Sequence, residues 1–581
     1  MSEHETDTEP GASAPNQPPQ SRQMTIPDAM NIAMQRHSDG NLAEAEAIYR
    51  QVLETDPNDP FALQLLGVIA HQGGDHETAR ELIEKAISIK PDFIEAFSNL
   101  GLVLQELGRL EDAAESFAKA LAINPDYANG HYNLGITLQS LDRLDAAAEH
   151  FRTSLTLNPD SPNALCKLGW VLQQQGRLDD AADAYAKALA LKPDYLEVLG
   201  NLGIVFGQQG RLEDAIASYH KALAIQPDSA EMLNNLGNAL TKLGRANEAV
   251  ESCHKALAIQ PDLAEAHNNL GNAFSKLGRL DEAVASYHKA LAIQPNFAEA
   301  HNNLGDVFRI LGRFDEAMTS FHKALAVWPN FTGAGRNLLL TLLNVPGIPP
   351  EQRFAEHRRF SENNTQGIAR PAEKFTNDPV PGRRLRVGYL SSDFRDHPVG
   401  LVVMPLISSH NREKFEIFCY ADVAHPDAMS ERFQSCVDRW VSVTGKSDAD
   451  VAAMVRADGI DVLVSLAGHF DNNRPLVSAH RAAPVQVNFH DGATSGLEEM
   501  DYWLTDSFLH PTDTTEIFTE ALYRLPVFYQ WPLIEDAPPI EALPAAQAGF
   551  ITFGSFNNPA KINDAVIRLW AEILKAVPES R

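Results

Sequence analysis

A 34-residue period runs from about residue 60 to residue 331 and confines this part of the chain to an architecture of stacked repeats. A glycine falls at Gly67, Gly101, Gly135, Gly169, Gly203, Gly237, Gly271 and Gly305, and a proline keeps the same spacing from Pro57 to Pro329. Between them an alanine recurs from Ala79 to Ala317, with a large residue four positions later, as at Phe117, Tyr185 and Phe321. Cys253 takes that place once. Ile32 and Ala33 with Ala45, Tyr49 and Pro57 form a ninth, degenerate unit from about residue 26. The spelling has a physical reading. Glycine on a first helix and alanine on a second allow close approach, the large residue fills the space between them, and proline ends the second helix. One such unit leaves its apolar face bare, whereas stacked units share a continuous core and offer a long concave surface to a protein or peptide.

This pattern resembles the tetratricopeptide repeat, two antiparallel helices per unit. The whole chain has 581 residues, so at least a second domain is expected. Lys and Arg number 48 against 77 Asp and Glu, a net charge of −29 that disfavours nucleic-acid partners. Cys166, Cys253, Cys419 and Cys436 are scattered without paired spacing, which speaks against a disulfide framework or a zinc site and fits a cytoplasmic setting. Residues 1–25 are acidic and proline-rich without an apolar core, and are expected to be a disordered tail and not a signal peptide. No apolar run approaches the roughly 18 residues of a membrane span.

After Phe331 the period stops. Residues 332–382 read as a helical linker ending in TNDPVPG. Short apolar runs then alternate with helical stretches: strands at 385–390, 415–420, 440–443, 460–466, 485–489, 502–505 and 523–525, and helices at 399–409, 427–437, 448–458 and 474–480. Alternation of this kind predicts a parallel sheet covered on both faces, a Rossmann-like domain over 383–545. Ligands in such sheets sit beyond the carboxyl ends of the strands, which singles out loops 391–398, 467–473 and 490–496. A strand at 549–554 and a helix from about 564 to 577 read as the start of a second such domain, 546–581, that is only begun.

Tetratricopeptide units running into RVGYLSSDFRDHPVG, FEIFCYADV, ADGIDVLVSLAGH, NRP, APVQV, ATSGLEEMDYWLTD and GSFNNPAKIN resemble the bacterial relatives of the protein O-linked N-acetylglucosamine transferases, with the plant SPINDLY branch among them. The resemblance implies an inverting, metal-independent glycosyltransferase of GT-B type, two Rossmann-like domains with a nucleotide-sugar such as UDP-GlcNAc between them, and protein Ser or Thr hydroxyls as acceptors. It places His397 in the cleft as the candidate catalytic group; an imidazole there would orient or deprotonate a hydroxyl near neutral pH. It makes Asn558, Lys561 and His469 candidates for donor binding, with Lys561 ahead of a helix N-terminus suited to a diphosphate. One departure stands out. The family's Trp-Leu-Gly-Tyr-Pro-type loop before Thr-Ser-Gly reads Asn488-Phe489-His490-Asp491-Gly492-Ala493-Thr494-Ser495-Gly496 here, one residue shorter and without Tyr-Pro. With the second domain only begun, the chain as written is expected not to transfer sugar.

Asn99, Asn133, Asn201, Asn235, Asn269 and Asn303 share one register, two before the glycine, with Lys167 interrupting the series. The resemblance puts them in the inner groove, where an amide can clamp a peptide backbone whatever its side chains. His220, His254, His288 and His322 also share a register. Packed helices lie about 8–10 Å apart and zinc–nitrogen bonds are about 2 Å, so these histidines are read as a surface stripe and no metal site is expected. ATP-binding, zinc-protease and serine-hydrolase motifs are absent. Three functions follow as expectations: a protein O-GlcNAc transferase, a non-catalytic scaffold with a degenerate transferase domain, or an O-fucosyltransferase.

Overall fold

The computed structural model describes residues 25–368, 375–470, 472–489, 491–528, 545, 548–554, 562 and 564–581. All of the expected tail but Thr25 lies outside the described residues. The chain divides into two compact units, residues 1–243 and 244–581.

The first unit is a run of helices from Ile26–Ser38 to Ala230–Lys242. A 13-residue helix alternates with a 14-residue one, as in Ile94–Glu106 followed by Leu110–Ile123. Where the first helix of a pair carries glycine over an aromatic, contact requires it: a Cβ on Gly101 would lie 2.6 Å from the Phe117 ring, which is fully buried. The same close approach recurs at Gly135 over Phe151, Gly169 over Tyr185 and Gly203 over Tyr219. The turn between the two helices is left-handed at its centre, with φ +71° at Gly108, and the repeat that lacks glycine there uses Asp142 at φ 57°. Asp is one of the few side chains that tolerate this region.

The second unit continues the pattern in helices from Ala246–Ile259 to Phe314–Val327. It then adds one more pair, α1 (Thr332–Leu342) and α2 (Pro350–Thr365), in which Phe360 packs under Gly335 as the aromatics do in the repeats. A seven-stranded sheet follows: β1 (Leu385–Ser391), β2 (Phe415–Ala421), β3 (Arg439–Ser442), β4 (Val462–Leu466), β5 (Val485–Phe489), β6 (Tyr502–Asp506) and β7 (Ala521–Leu525). Every neighbouring pair is parallel and the order is β3-β2-β1-β4-β5-β6-β7. Its central strands are near-continuous apolar runs because both faces are covered. One face packs Val387, Tyr389 and Ile417 with α3 (Pro398–Ser408) and α4 (Ala428–Ser435); the other packs Leu390, Tyr420 and Leu463 with α5 (Asp448–Ala457).

Two local expectations change. Residues 475–480 form a 3-10 turn and not an α-helix, because Pro475 opens the segment and Arg481 closes it at φ 50°. Residues 551–554 carry no strand, since among the described residues no strand lies alongside; Phe553 N–H donates to Arg581 O and Arg581 N–H to Ile551 O. The helix expected after them is present as α6 (Asp564–Ala576), with Ile567 and Leu569 more than half exposed. Among the described residues no helix is long and apolar enough to cross a membrane.

Candidate functional site

Strand order reverses between β1 and β4, so the loops after these two strands diverge and leave a crevice at their carboxyl ends. A cavity of about 570 Å³ lies there. Ser392 and Arg395 reach it from the loop after β1, Asp422 and His425 from the loop after β2, and Asn473 and Arg474 from the loop after β4. Thr332, Arg336 and Phe360 close it from α1 and α2, so the last helical pair forms one wall. Its acidic groups are largely spent: Arg474 donates to Asp448 at 2.7 Å and to the Lys446 carbonyl at 2.7 Å, and stands 3.7 Å from Asp422. Arg395 and His425 are exposed at its mouth.

His397 is the N-cap of α3, its Nδ1 accepting from the Val399 N–H at 3.3 Å. The same nitrogen lies 3.6 Å from Asp393 Oδ1, and the imidazole is 23% exposed against 1% for the carboxylate. The loop can lie this close to α3 because residue 400 is glycine: a Cβ there would meet Asp393 O at 2.6 Å. His397 is not part of the cavity wall; Arg395, two residues before it, is.

The loop after β4 turns sharply through two left-handed residues, Ala467 at φ 57° and Gly468 at φ 40°. His469, the donor-binding candidate, follows, and its side chain turns inward. It is 2% exposed, with Nε2–H donating to Ser495 O at 3.2 Å, and its ring packs edge-on against Phe360 and beside His357. Burial lowers its pKa to about 4, which keeps the ring neutral. His357, buried beside it on α2, is held well below its ordinary value for the same reason. These two imidazoles pack the helical pair onto the sheet.

The shortened loop folds its one carboxylate inward. Asp491 Oδ2 accepts from the His469 N–H at 3.3 Å and from Asn488 Nδ2 at 3.4 Å, and Oδ1 from the Gly492 N–H at 2.8 Å. It occupies the space a Cβ on Gly468 would need. Burial pushes its carboxyl up to about 7. Thr494 and Ser495 are fixed by the buried Glu520, which accepts from the Thr494 hydroxyl at 2.6 Å and the Ser495 N–H at 2.8 Å. His490, Asn558 and Lys561 lie outside the described residues.

All six ladder asparagines are half-buried: Asn99, Asn133, Asn201 and Asn235 in the first unit, Asn269 and Asn303 in the second. Asn303 Nδ2 is bonded within the stack, at 3.1 Å to both Asn268 Oδ1 and Asn272 Oδ1. Two residues escaped the sequence reading here. Asn337, 34 positions after Asn303, continues the register and donates to Asn302 Oδ1 at 3.0 Å. Arg336, 34 after Asn302, donates through Nε to His469 O at 3.2 Å and through Nη2 to Phe470 O at 3.2 Å and Asn473 O at 3.0 Å. The signal for both was the 34-residue count itself, carried one unit past the last glycine.

Residues 352–531 match the Glycosyl transferase family 41 model, and residues 271–309 and 298–331 match tetratricopeptide repeat models. Residues 24–265 match the model of the Cilia and flagella-associated protein 70 C-terminal domain. Similar curated proteins include the probable UDP-N-acetylglucosamine–peptide N-acetylglucosaminyltransferase SPINDLY of Arabidopsis thaliana, 37% identical over 42% of this chain and 28% of that protein. The protein of the same description in Oryza sativa subsp. japonica is 36% identical over 42% of this chain and 27% of its own length. The chain thus spans little more than a quarter of the curated relatives it matches. Among solved structures, an O-GlcNAc transferase mutant of Thermobaculum terrenum is 33% identical with a TM-score of 0.53, over 61% of this chain and 67% of that one.

Proposed function

Because the chain belongs to the O-GlcNAc transferase family, with its Glycosyl transferase family 41 domain, we propose that it transfers N-acetylglucosamine from UDP-N-acetylglucosamine to Ser or Thr hydroxyls of proteins held along its helical repeats. One observation carries this reading: the last helical pair forms a wall of the cavity at the carboxyl ends of β1, β2 and β4, beside the loop that bears His397. A chain lying along the repeats of the second unit would reach the cavity over Arg336 and Thr332. His397 would orient the acceptor hydroxyl or take its proton, and Arg395 and His425 would face incoming negative charge. Asn558 and Lys561 would meet the donor's diphosphate, and the asparagines would hold the acceptor backbone. The nucleotide-sugar is a substrate; the proposal includes no metal and no resident cofactor. The four cysteines are free, three of them buried, which suits the cytoplasm.

The inward carboxylate of Asp491 favours a second reading, since it stands in the loop that would face the sugar diphosphate. On that reading the chain is a peptide-binding scaffold without transfer. Calorimetric titration with UDP-N-acetylglucosamine and, separately, GDP-fucose, followed by a label-transfer assay onto a protein acceptor, tests both. Saturable UDP-N-acetylglucosamine binding with transfer abolished by His397→Ala supports the first; peptide binding without either nucleotide-sugar supports the second; GDP-fucose binding changes the sugar.

A further inference from the structure

His397 is held by groups that converge on one nitrogen. The Val399 N–H donates to Nδ1 at 3.3 Å, and Asp393 Oδ1 lies 3.6 Å from the same atom. Nδ1 cannot serve both at once. When it accepts from Val399, the neutral ring carries its proton on Nε2, which is then a donor and cannot take up a proton. When Nδ1–H turns to Asp393, Nε2 becomes a lone pair able to accept a proton. Asp393 therefore decides whether the ring can act as a base.

Asp393 is itself held from behind. Asn473 Nδ2 donates to its Oδ2 at 2.8 Å, leaving Oδ1 for Ser392 Oγ, at 3.2 Å, and for His397. The amide oxygen of Asn473 accepts from Ser391 Oγ and the Ser392 N–H, both at 2.9 Å. Asn473 is 2% exposed and Asp393 1%, so these bonds form away from water, where an unpaired carboxylate is costly. Arg336 then pins the loop that carries Asn473 to α1, through three carbonyls including that of Asn473.

We propose that Asp393 and Asn473 are positioning residues that set the tautomer of His397, and that Arg336 ties this pair to the last helical pair of the repeats. The transfer arm of the test rests on the function proposed above; the tautomer arm does not. Selective 15N-histidine labelling of the full chain reports the ring nitrogens, with the His397 signals assigned by their loss in His397→Gln. The expected result is a population of Nδ1–H tautomer in the wild type that Asp393→Asn converts to Nε2–H, with Asn473→Ala shifting it the same way. In the transfer assay Asp393→Asn lowers kcat roughly 10- to 100-fold with the acceptor KM nearly unchanged. Arg336→Gln gives a smaller shift of the same sign, relieved in Arg336→Lys, with faster amide exchange at His469 and Phe470. Unchanged melting midpoints show that the variants fold, and Asn473→Ala stands in if Asp393→Asn does not. A tautomer ratio that ignores both substitutions overturns the proposal. If the wild type transfers no sugar, the proposed function fails and the tautomer measurement alone decides.

Discussion

The helical repeats and the carboxyl edge of the sheet solve the same problem, holding polar groups in place, by opposite means. In the repeats many charged groups pair at the surface over a short span, such as Arg177 with Asp180 and Arg279 with Glu282, each an N-cap arginine with a carboxylate in the first turn of its helix. Such pairs are screened by water and replaced by the next repeat's copy. At the sheet edge the pairs are singular and join distant parts of the chain: buried Asn473 to Asp393 spans 80 residues, and half-buried Arg336 to His469 spans 133. Redundancy lets the repeats tolerate loss, while the sheet edge has no second copy of anything. The lesson is that conformational precision is concentrated where chain-distant groups meet.

If the proposed function holds, the sharpest way to test that contrast is His397→Ala, which would lower transfer roughly 100- to 10,000-fold in a label assay with melting little changed. Phe321→Ala attacks the repeats in their packing, where a copy in another unit cannot fill the space left behind. Its ring is fully buried against Gly305, so a loss of about 3–5 kcal/mol is expected in denaturant unfolding, with helical signal kept in neighbouring repeats.

Asp491 gives a pH test with a definite sign. Its folded carboxyl titrates at about 7, above its unfolded value, so the folded state binds the extra proton and stability falls as pH rises from about 4 to 7. His469, lowered to about 4, acts oppositely and costs stability as pH falls from 6.5 to about 4. Asp491→Asn should therefore gain on the wild type steadily between pH 4 and 7 in chemical unfolding, by about 4 kcal/mol at the upper end. A flat difference would mean that the carboxyl titrates normally.

Asn303→Ala separates two uses of the ladder. The amide bonds to Asn268 and Asn272, so a loss of about 1 kcal/mol in stability is expected. If the ladder also clamps peptides, the triple change of Asn235, Asn269 and Asn303 to Ala weakens peptide binding in titration; unchanged affinity would leave the amides as cross-links between helices. Smallest of all, Arg279→Ala should leave the melting midpoint unmoved, since its partner Glu282 is an exposed neighbour in the first turn of the helix it caps.

What could be read in advance follows from range. The 34-residue period, the glycine–aromatic pairing and the strand–helix alternation are written within a single repeat or element and its neighbour, and the sequence by itself determined them. It also put His397 in the loop that follows β1, because a polar stretch after an apolar run marks a strand's end. The fate of His469 was decided only by tertiary structure: α2, more than 100 residues earlier in the chain, supplies His357 and Phe360 to bury it. The same holds for Arg336, whose side chain reads as one more surface cation until the loop after β4 folds onto it. Short-range pattern fixes which elements form, since a helix or strand chooses its residues by period. Which polar groups meet depends on packing across the chain, and no window of sequence contains both partners.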